Sequence, residues 1–261
     1  KKAPAEIQQY ALTLKCQVNA ADEHWDQVRK AAERLLTDHP ESSFRRVAEF
    51  WVAESLYHQA DYDAAATRLD ALTDRAHEPD ETWLAMVPLR RAQIFAMRKQ
   101  WTEAFDQAST IERDYPGFDR QYEVDYLLGR CLAARAQFDQ ARQAYRRAID
   151  SPHGAKTETA AMAQWMIGET YFHQKHYEAA LREYLRVEIL YDFPRWQAAA
   201  LLQAGKCHER LSRNDEAARL YRSLVKTYPD SPLVEKAKKR LAATAGSNGA
   251  SEARRPTAPR R

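Results

Sequence analysis

Glycine is scarce in this chain, with seven residues among 261. Three of them, Gly129, Gly168 and Gly205, follow one another at intervals of 39 and 37 residues. None of the seven belongs to a GxGxxG fingerprint, a P-loop or a GxSxG elbow, so the chain lacks the common motifs for nucleotide binding and serine hydrolysis. We therefore interpret the three spaced glycines as packing positions.

Cysteine is also scarce, and its three residues, Cys16, Cys131 and Cys207, are far apart in the sequence. A redox or metal site is the functional alternative, but their odd number and spacing favour small apolar residues buried in helices. His173 and His176 could share a metal ion, yet no cysteine or carboxylate completes a ligand set at a recognised spacing. The sequence therefore predicts no metal, no cofactor and no catalytic residue, although a glycosidase-like pair of carboxylates stays open.

Long apolar runs are absent as well. No run approaches the roughly 18 residues of a membrane-spanning helix, so no transmembrane segment is expected. No signal peptide is visible and the first residue is Lys1, so we expect an excised domain or a processed product. Four arginines and one glutamate in residues 244–261 account for the whole formal net charge of +3. The remaining chain is neutral, which argues against nucleic acid as the main ligand.

Residues 161–194 contain the clearest copy of a repeated pattern. Gly168 lies in a first amphipathic helix, and Ala180, Tyr184 and Val187 follow at helical spacing in a second. Because a helical glycine costs about 1 kcal/mol relative to alanine, we expect a close packing contact at Gly168. Two such helices can pack together, but they need neighbours to bury their apolar surface.

The same pattern recurs along the chain when Gly168 is counted as position 8 of its repeat. Aromatic residues recur at positions 17 and 24, small residues at positions 8 and 20, and proline at position 32 of several copies. The six units begin near Gln9, Arg46, Ala85, Tyr122, Ala161 and Ala198.

This pattern resembles the tetratricopeptide repeat, which has Leu-Gly at positions 7 and 8, alanine at positions 20 and 27, and proline at position 32. The resemblance covers roughly residues 9–243 and implies an all-α, right-handed α-solenoid of about six helix-turn-helix units plus a C-terminal capping helix. The units are three to five residues longer than the usual 34, and position 8 is Cys16, Ala53 or Ala92 in the first three. The extra residues and the proline-containing junctions resemble repeats of bacterial cell-envelope proteins, which favours a periplasmic or envelope-associated location over a cytoplasmic one.

Two regions follow from this pattern: a solenoid over residues 4–243 and a basic tail over residues 244–261. The tail is rich in glycine, serine, alanine, proline and arginine, so we expect it to be disordered. Ser231 as N-cap and Pro232 at the first helical position predict a capping helix over residues 231–243.

The third unit departs from a regular pair because Pro88 falls within its first helix. Proline removes a backbone donor and collides with the preceding turn. The sequence therefore predicts either a kink at Pro88 or a helix that begins near Met86, and we expect this to redirect Met86 and Arg90.

The resemblance also implies where a partner binds, because first helices line the concave side of this family's solenoids. Aromatic residues and arginines are enriched at binding hot spots. We expect Arg90 or Arg130 to meet an acidic residue of the partner while aromatic rings hold its apolar side chains. Packing between first helices is the alternative for Phe50 and Trp165, and the outer-face residue Arg147 should not contribute. The candidate peptide-binding residues are Phe50, Trp51, Glu54, Tyr57, Arg90, Tyr126, Arg130, Trp165, Glu169 and Phe172.

These features predict a non-catalytic scaffold that binds a peptide or protein segment in its concave groove. Two alternatives stay open. The first is a structural assembly factor of a bacterial envelope complex that uses convex or end surfaces, and the second is an accessory domain of an enzyme whose catalytic part is not in this chain. Thr13 and Gln17 stand where the family's clamp for a C-terminal carboxylate has lysine and asparagine, so the resemblance implies no chaperone-tail ligand.

Overall fold

The computed structural model describes residues 4–73 and 82–252, and every regular element in this part of the chain is helical. The chain divides into two compact units, residues 1–118 and residues 119–261. Each unit is built from successive helix pairs, which confirms the predicted all-α repeat fold. Within the described ranges, no helix has both the length and the apolar character needed to cross a bilayer.

In the first unit, the two helices of each pair contact each other, and each second helix also contacts the first helix of the next pair. A short helix, α7, follows the third pair and contacts α6. The helices are α1 (Ala5–Ala21), α2 (Trp25–Asp38), α3 (Arg45–His58), α4 (Tyr62–Thr73), α5 (Met86–Met97), α6 (Trp101–Ser109) and α7 (Ile111–Asp114).

In the second unit, three pairs are followed by a single helix, and each helix contacts the next. The first helix α10 also contacts α8 and α12, so the first helices of this unit are neighbours. The helices are α8 (Gln121–Ala134), α9 (Phe138–Asp150), α10 (Glu158–His173), α11 (Tyr177–Leu190), α12 (Pro194–Arg210), α13 (Asn214–Thr227) and α14 (Val234–Glu252).

The spaced glycines lie where an aromatic ring of the second helix presses on the first. A Cβ atom added at Gly168 would lie 2.6 Å from Cε1 of Tyr184, which is completely buried. The same contact recurs in the pairs Gly129–Tyr145 and Gly205–Tyr221. The interpretation of these glycines as packing positions is therefore confirmed, and the ring of the second helix is what requires them.

Every turn inside a helix pair uses a left-handed residue. At the end of α8, Ala136 has a φ of 58°, and the N–H of Gln137 donates to the carbonyl of Leu132 at 2.9 Å. This geometry closes the helix end and lets the second helix begin at once, but it strains any residue with a Cβ atom. In the described part of the chain, the non-glycine residues with φ near +60° are Glu23, Ala60, Lys99, Ala136, Lys175 and Ser212.

Replacing Ala136 by glycine is therefore expected to stabilise the protein, by roughly 0.5–1 kcal/mol in the free energy of unfolding. Ala242, which is exposed within α14, is the matched control: glycine there should destabilise by up to about 1 kcal/mol because its φ is helical. Urea unfolding of both variants measures the two signs. Equal destabilisation by both substitutions would show that the turn is not strained.

The third unit begins its first helix late. A 3₁₀ turn, Thr82–Ala85, precedes α5, which begins at Met86 and has Pro88 as its third residue. A proline in the first turn is tolerated because the N–H it lacks has no intrahelical partner there. The predicted start near Met86 is thus confirmed, and Met86 is buried.

The last helix differs from its predicted bounds at both ends. It begins at Val234, although Ser231 Oγ still accepts a hydrogen bond from the N–H of Leu233 at 3.3 Å. It continues to Glu252, beyond the boundary at residue 243 between solenoid and tail, because alanines that favour helix follow Leu241. The predicted disorder of residues 253–261 lies outside the described residues.

All three cysteines are buried and unoxidised, at most 1% exposed. Burial raises the pKa of Cys16 and of Cys131 to about 11, and that of Cys207 to about 12. A thiol with such a pKa is neutral at physiological pH and is a poor nucleophile. The interpretation of the cysteines as buried helix residues is confirmed.

Candidate functional site

The first unit contains a buried ion pair between two candidate residues. Arg90 on α5 donates to Glu54 on α3 from Nε to Oε1 at 2.6 Å and from Nη2 to Oε2 at 3.0 Å. Arg90 Nη1 also donates to Gln93 Oε1 at 2.6 Å, and its guanidinium carbon lies 4.8 Å from the centre of the Tyr57 ring. Glu54 and Arg90 are only 4% and 5% exposed.

This pair is electrostatically complete. Burial by itself raises the pKa of Glu54, but the charge of Arg90 and the hydrogen bonds from His58 and Arg90 bring it down to about 2. The carboxylate therefore stays ionised and holds α3 against α5. This corrects the expectation that Glu54 and Arg90 line an open groove, because complementary charges on adjacent first helices bind each other.

The aromatic candidates of the first unit are divided between core and surface. Phe50 is buried, and its ring centre lies 5.2 Å from that of Trp83 and 5.7 Å from that of Trp51. Trp51 and Tyr57 remain partly exposed. Phe50 is thus a packing residue, the alternative that the sequence left open, and Trp51 and Tyr57 are the residues that a partner can reach.

In the second unit, Trp165 on α10 lies between two further aromatic rings. Its ring centre is 6.2 Å from that of the buried Tyr184 and 5.8 Å from that of Trp196 on α12. Phe172, two turns further along α10, packs edge-on against Tyr177 with ring centres 5.3 Å apart. Trp165 and Phe172 are both half-buried, so each offers a supported apolar face to a partner.

Glu169, the acidic candidate on α10, is already bonded within the unit. It accepts hydrogen bonds from the hydroxyl of Tyr184 at 2.5 Å and from Nε2 of Gln203 on α12. Gln203 in turn accepts from Nζ of Lys206 at 2.5 Å. Glu169 therefore ties α10 to α12, and its role as a partner-binding acid is reduced by these bonds.

The remaining candidates are on α8. Tyr126 and Arg130 are half-buried, and the guanidinium carbon of Arg130 lies 6.0 Å from the centre of the Tyr126 ring. Because α8 contacts α10, this cation lies on the helix next to the one that carries Trp165 and Phe172. The structure thus places an arginine and a set of apolar rings on adjacent first helices of one unit.

A simple register explains why some of these charges are engaged. Position 9 of one repeat is paired with position 6 of the next, as in Glu54 with Arg90 and in Glu169 with Gln203. A first-helix charge is consumed when the next repeat supplies its complement. At Arg130, position 6 of the next repeat is Met166, which cannot form an ion pair.

A basic cavity near the C-terminal helix was missed by sequence reasoning, which placed its lysines on the outer side of the cap. The cavity has a volume of about 540 Å³, and Lys236, Lys239 and Arg240 of α14 are among its lining residues. Burial and the charges of Lys236 and Arg240 lower the pKa of Lys206 on α12. The signal in the sequence was the spacing of three and four residues, which puts the three cations on one face of α14.

An apolar stripe on α1 was also missed. Ile7, Tyr10, Leu14 and Val18 follow one another at helical spacing, and each is between 42% and 58% exposed. Single exposed apolar residues are ordinary, but a continuous stripe of them marks a surface that a partner covers.

Arg147 on α9 is not the inert outer-face residue that the sequence suggested. Its Nε donates to Oδ1 of Asp125 at 2.7 Å, and Asp125 is only 6% exposed. Removing Arg147 would perturb a buried carboxylate, so it is unsuitable as a control. Arg146, its exposed neighbour on the same helix, replaces it below.

The described residues offer no obvious centre for metal chemistry: residues 4–73 and 82–252 contain no group of three histidine, cysteine or acidic side chains that could hold a metal ion. The strongest ionic contacts instead join neighbouring helices. The arrangement is suited to holding a protein surface in shape and to presenting rings and charges to a partner.

Comparison with protein families and known structures agrees with this architecture. A family model described as a tetratricopeptide repeat-like domain matches residues 5–163, and one described as a tetratricopeptide repeat matches residues 199–231. A comparison with curated proteins finds no match.

Several solved structures share the fold at low sequence identity. PilW, described as a widely conserved type IV pilus biogenesis factor, has a TM-score of 0.68 at 18% identity, over 87% of this chain and 97% of that chain. PilF of Pseudomonas aeruginosa has a TM-score of 0.66 at 14% identity, over 90% and 98%. YrrB, described as a protein with an unusual peptide-binding site, has a TM-score of 0.53 at 18% identity, over 81% and 99%.

Proposed function

Because the chain belongs to the tetratricopeptide repeat-like family, we propose that it is a non-catalytic scaffold that binds a protein or peptide segment on its first helices. The observation that carries this proposal is the surface of α8 and α10, with Arg130 next to the half-buried rings of Trp165 and Phe172. These residue types dominate binding energy at protein interfaces. YrrB supplies an example of peptide binding in a protein of similar fold.

The division of labour within this surface follows from its chemistry. Trp165 and Phe172 are held by neighbouring rings, so a partner's apolar side chains can pack on them with little loss of side-chain entropy. Arg130 supplies a charge that fixes the register of the bound segment. Residues Tyr126, Trp51 and Tyr57 extend the set of partly exposed aromatic candidates.

The experiment begins with affinity capture of a partner by the whole chain, followed by calorimetry with purified components. We expect Trp165→Ala and Arg130→Glu each to weaken binding by more than about 1 kcal/mol, which is roughly fivefold. Arg146→Ala, on the exposed face of α9, is the matched control and should leave the affinity unchanged. Unchanged binding by both first-helix variants, with folding intact by circular dichroism, would contradict the proposal.

A second candidate function is structural assembly within an envelope complex, and the apolar stripe on α1 favours it. The likeness to PilW, a pilus biogenesis factor, is consistent with a role of this kind. Leu14→Glu and Val18→Glu change exposed residues, so they should preserve the fold while abolishing a contact made through this stripe. Partner loss in these variants, with full binding by Trp165→Ala, would assign the interaction to α1 instead of the α8–α10 surface.

A further inference from the structure

The buried tyrosines at repeat position 24 share one arrangement in two of the repeats. The hydroxyl of Tyr184 donates to Glu169, as described above. The hydroxyl of Tyr221 donates to Oε1 of Glu209 at 2.8 Å, and Oε2 of Glu209 accepts from Nη1 of Arg240 at 2.5 Å. In both repeats, a carboxylate from a first helix satisfies the tyrosine hydroxyl at the surface where first helices meet.

Tyr145 holds the same position in the preceding repeat, but it has no such acceptor. Its side chain is completely buried, and its hydroxyl makes no hydrogen bond in the structure. Burial raises the pKa of Tyr145, so the hydroxyl remains a neutral donor. An unsatisfied buried donor costs about 1–3 kcal/mol, and such a group needs an explanation.

The sequence explains the missing acceptor. The residue of α8 at position 9, where the next repeat has Glu169, is Arg130. The residue of α10 at position 6, where the next repeat has Gln203, is Met166. Both substitutions replace an oxygen acceptor by a group that cannot accept a hydrogen bond strongly, so donors gather at this point without a carboxylate.

The residues around the hydroxyl form a small site, which we call the Tyr145 slot: Tyr126, Arg130, Tyr145 and Met166. The ring centres of Tyr126 and Tyr145 are 5.9 Å apart, and Arg130 lies against the other side of the Tyr126 contact, 6.0 Å from that ring. Met166 packs against the same hydrophobic cluster as Tyr145. Methionine has three rotatable bonds and adapts readily, so its side chain can move to admit a ligand group.

We infer that an acidic side chain of the bound partner enters the Tyr145 slot, where its carboxylate accepts from the Tyr145 hydroxyl and pairs with Arg130. The model for this site is within the same chain, because Glu209 accepts from Tyr221 while pairing with Arg240. The partner's carboxylate would thus supply the group that α8 lacks. This inference rests on the proposed function and adds a specific chemistry to its ligand: a segment with an acidic residue beside apolar ones.

The basic cavity at α14 is the competing site for an acidic segment, since Lys236, Lys239 and Arg240 also attract carboxylates. It differs in one respect: its cations are exposed or already paired, and Arg240 is bonded to Glu209. A buried, unsatisfied donor such as the Tyr145 hydroxyl discriminates more strongly between a carboxylate and an amide, because a fixed geometry and a charge-assisted bond are both involved.

The test uses a hexapeptide of alternating leucine and glutamate, blocked at both ends, and its leucine–glutamine counterpart. Calorimetry with the whole chain should show binding of the glutamate peptide, and Tyr145→Phe and Arg130→Gln should each weaken it about tenfold, as expected for loss of a hydrogen bond to a charged group. Lys239→Gln in the basic cavity is the control and should leave the affinity unchanged. Tyr145→Phe should not lower the melting temperature, since the hydroxyl it removes has no partner.

Four results would overturn the inference: equal affinity for the glutamine peptide, unchanged affinity in both slot variants, loss of binding in Lys239→Gln alone, or no binding of the glutamate peptide to the wild-type chain. The proposed function fails differently. A captured partner whose affinity depends on Trp165 but is the same in Tyr145→Phe would preserve the scaffold and remove only the carboxylate from the account.

Discussion

Replacing Arg90 by alanine is expected to lower the free energy of unfolding by about 3–5 kcal/mol, because it leaves the Glu54 carboxylate buried without its counter-charge. Arg90 makes two hydrogen bonds to Glu54 and one to Gln93, and lies over the Tyr57 ring, so its loss also removes packing between α3 and α5. Urea unfolding at neutral pH measures the change.

A double variant separates the stranded charge from lost packing. Glu54→Leu combined with Arg90→Met keeps comparable volume and removes both charges, so most of the stability should return. If the double variant is as unstable as Arg90→Ala, the packing of the two side chains matters more than the unpaired carboxylate.

The pH dependence of the same variants gives an independent check. The pKa of Glu54 is about 2 in the folded protein against an ordinary value of 4.5, so the pair's contribution is complete above pH 4.5 and is lost as the pH falls toward 2. In Arg90→Ala, burial raises the pKa of Glu54, and protonation relieves the penalty at mildly acidic pH. The difference in unfolding free energy between wild type and Arg90→Ala should therefore narrow as the pH is lowered from 7 to 5.

The second large effect is expected at the contact between Gly168 and Tyr184. Tyr184→Ala removes a fully buried ring and the hydrogen bond to Glu169, which should cost about 3–5 kcal/mol. Gly168→Ala alone should cost about 1–3 kcal/mol, because the added Cβ atom would lie 2.6 Å from the ring.

The two substitutions should be strongly coupled. Once Tyr184 is alanine, the space beside Gly168 is open, and Gly168→Ala should then stabilise by up to about 1 kcal/mol through helix propensity. Thermal or urea unfolding of the four proteins in this cycle measures the coupling. Additive losses in the double variant would show that the glycine is required for another reason than the ring.

The repeat architecture was predictable because the sequence repeats its packing. Small residues at positions 8 and 20 and rings at position 24 mark the helix pairs, and the structure places Gly168 against Tyr184 as that pattern requires. The late start of α5 followed from the properties of Pro88 alone. These features depend on local periodicity and sterics, which one sequence displays directly.

The candidate site was less predictable because it depends on contacts between repeats. Sequence position assigned both Glu54 and Arg90 to the groove, but it did not show that position 9 faces position 6 of the next unit, where the two charges neutralise each other. The same register explains the bonds of Glu169 and exposes the mismatch at Arg130. Charge pairs between helices about 36 residues apart need coordinates before they can be recognised.

The extent of α14 shows a different limit. Residues after Leu241 have the composition of a tail, with scattered glycine and serine, yet the helix continues to Glu252. Composition reports average preference, whereas a helix that is already nucleated extends through residues of modest propensity.

The central claim, that a partner segment lies on the first helices of the second unit, is tested most directly by site-specific photo-crosslinking. A photoreactive amino acid placed at position 165 or 172 on α10 should form crosslinks to the captured partner, whereas the same group at position 146 on α9 should form none. Crosslinks from position 146 or from position 14 on α1, with none from α10, would contradict the account and place the partner on another surface.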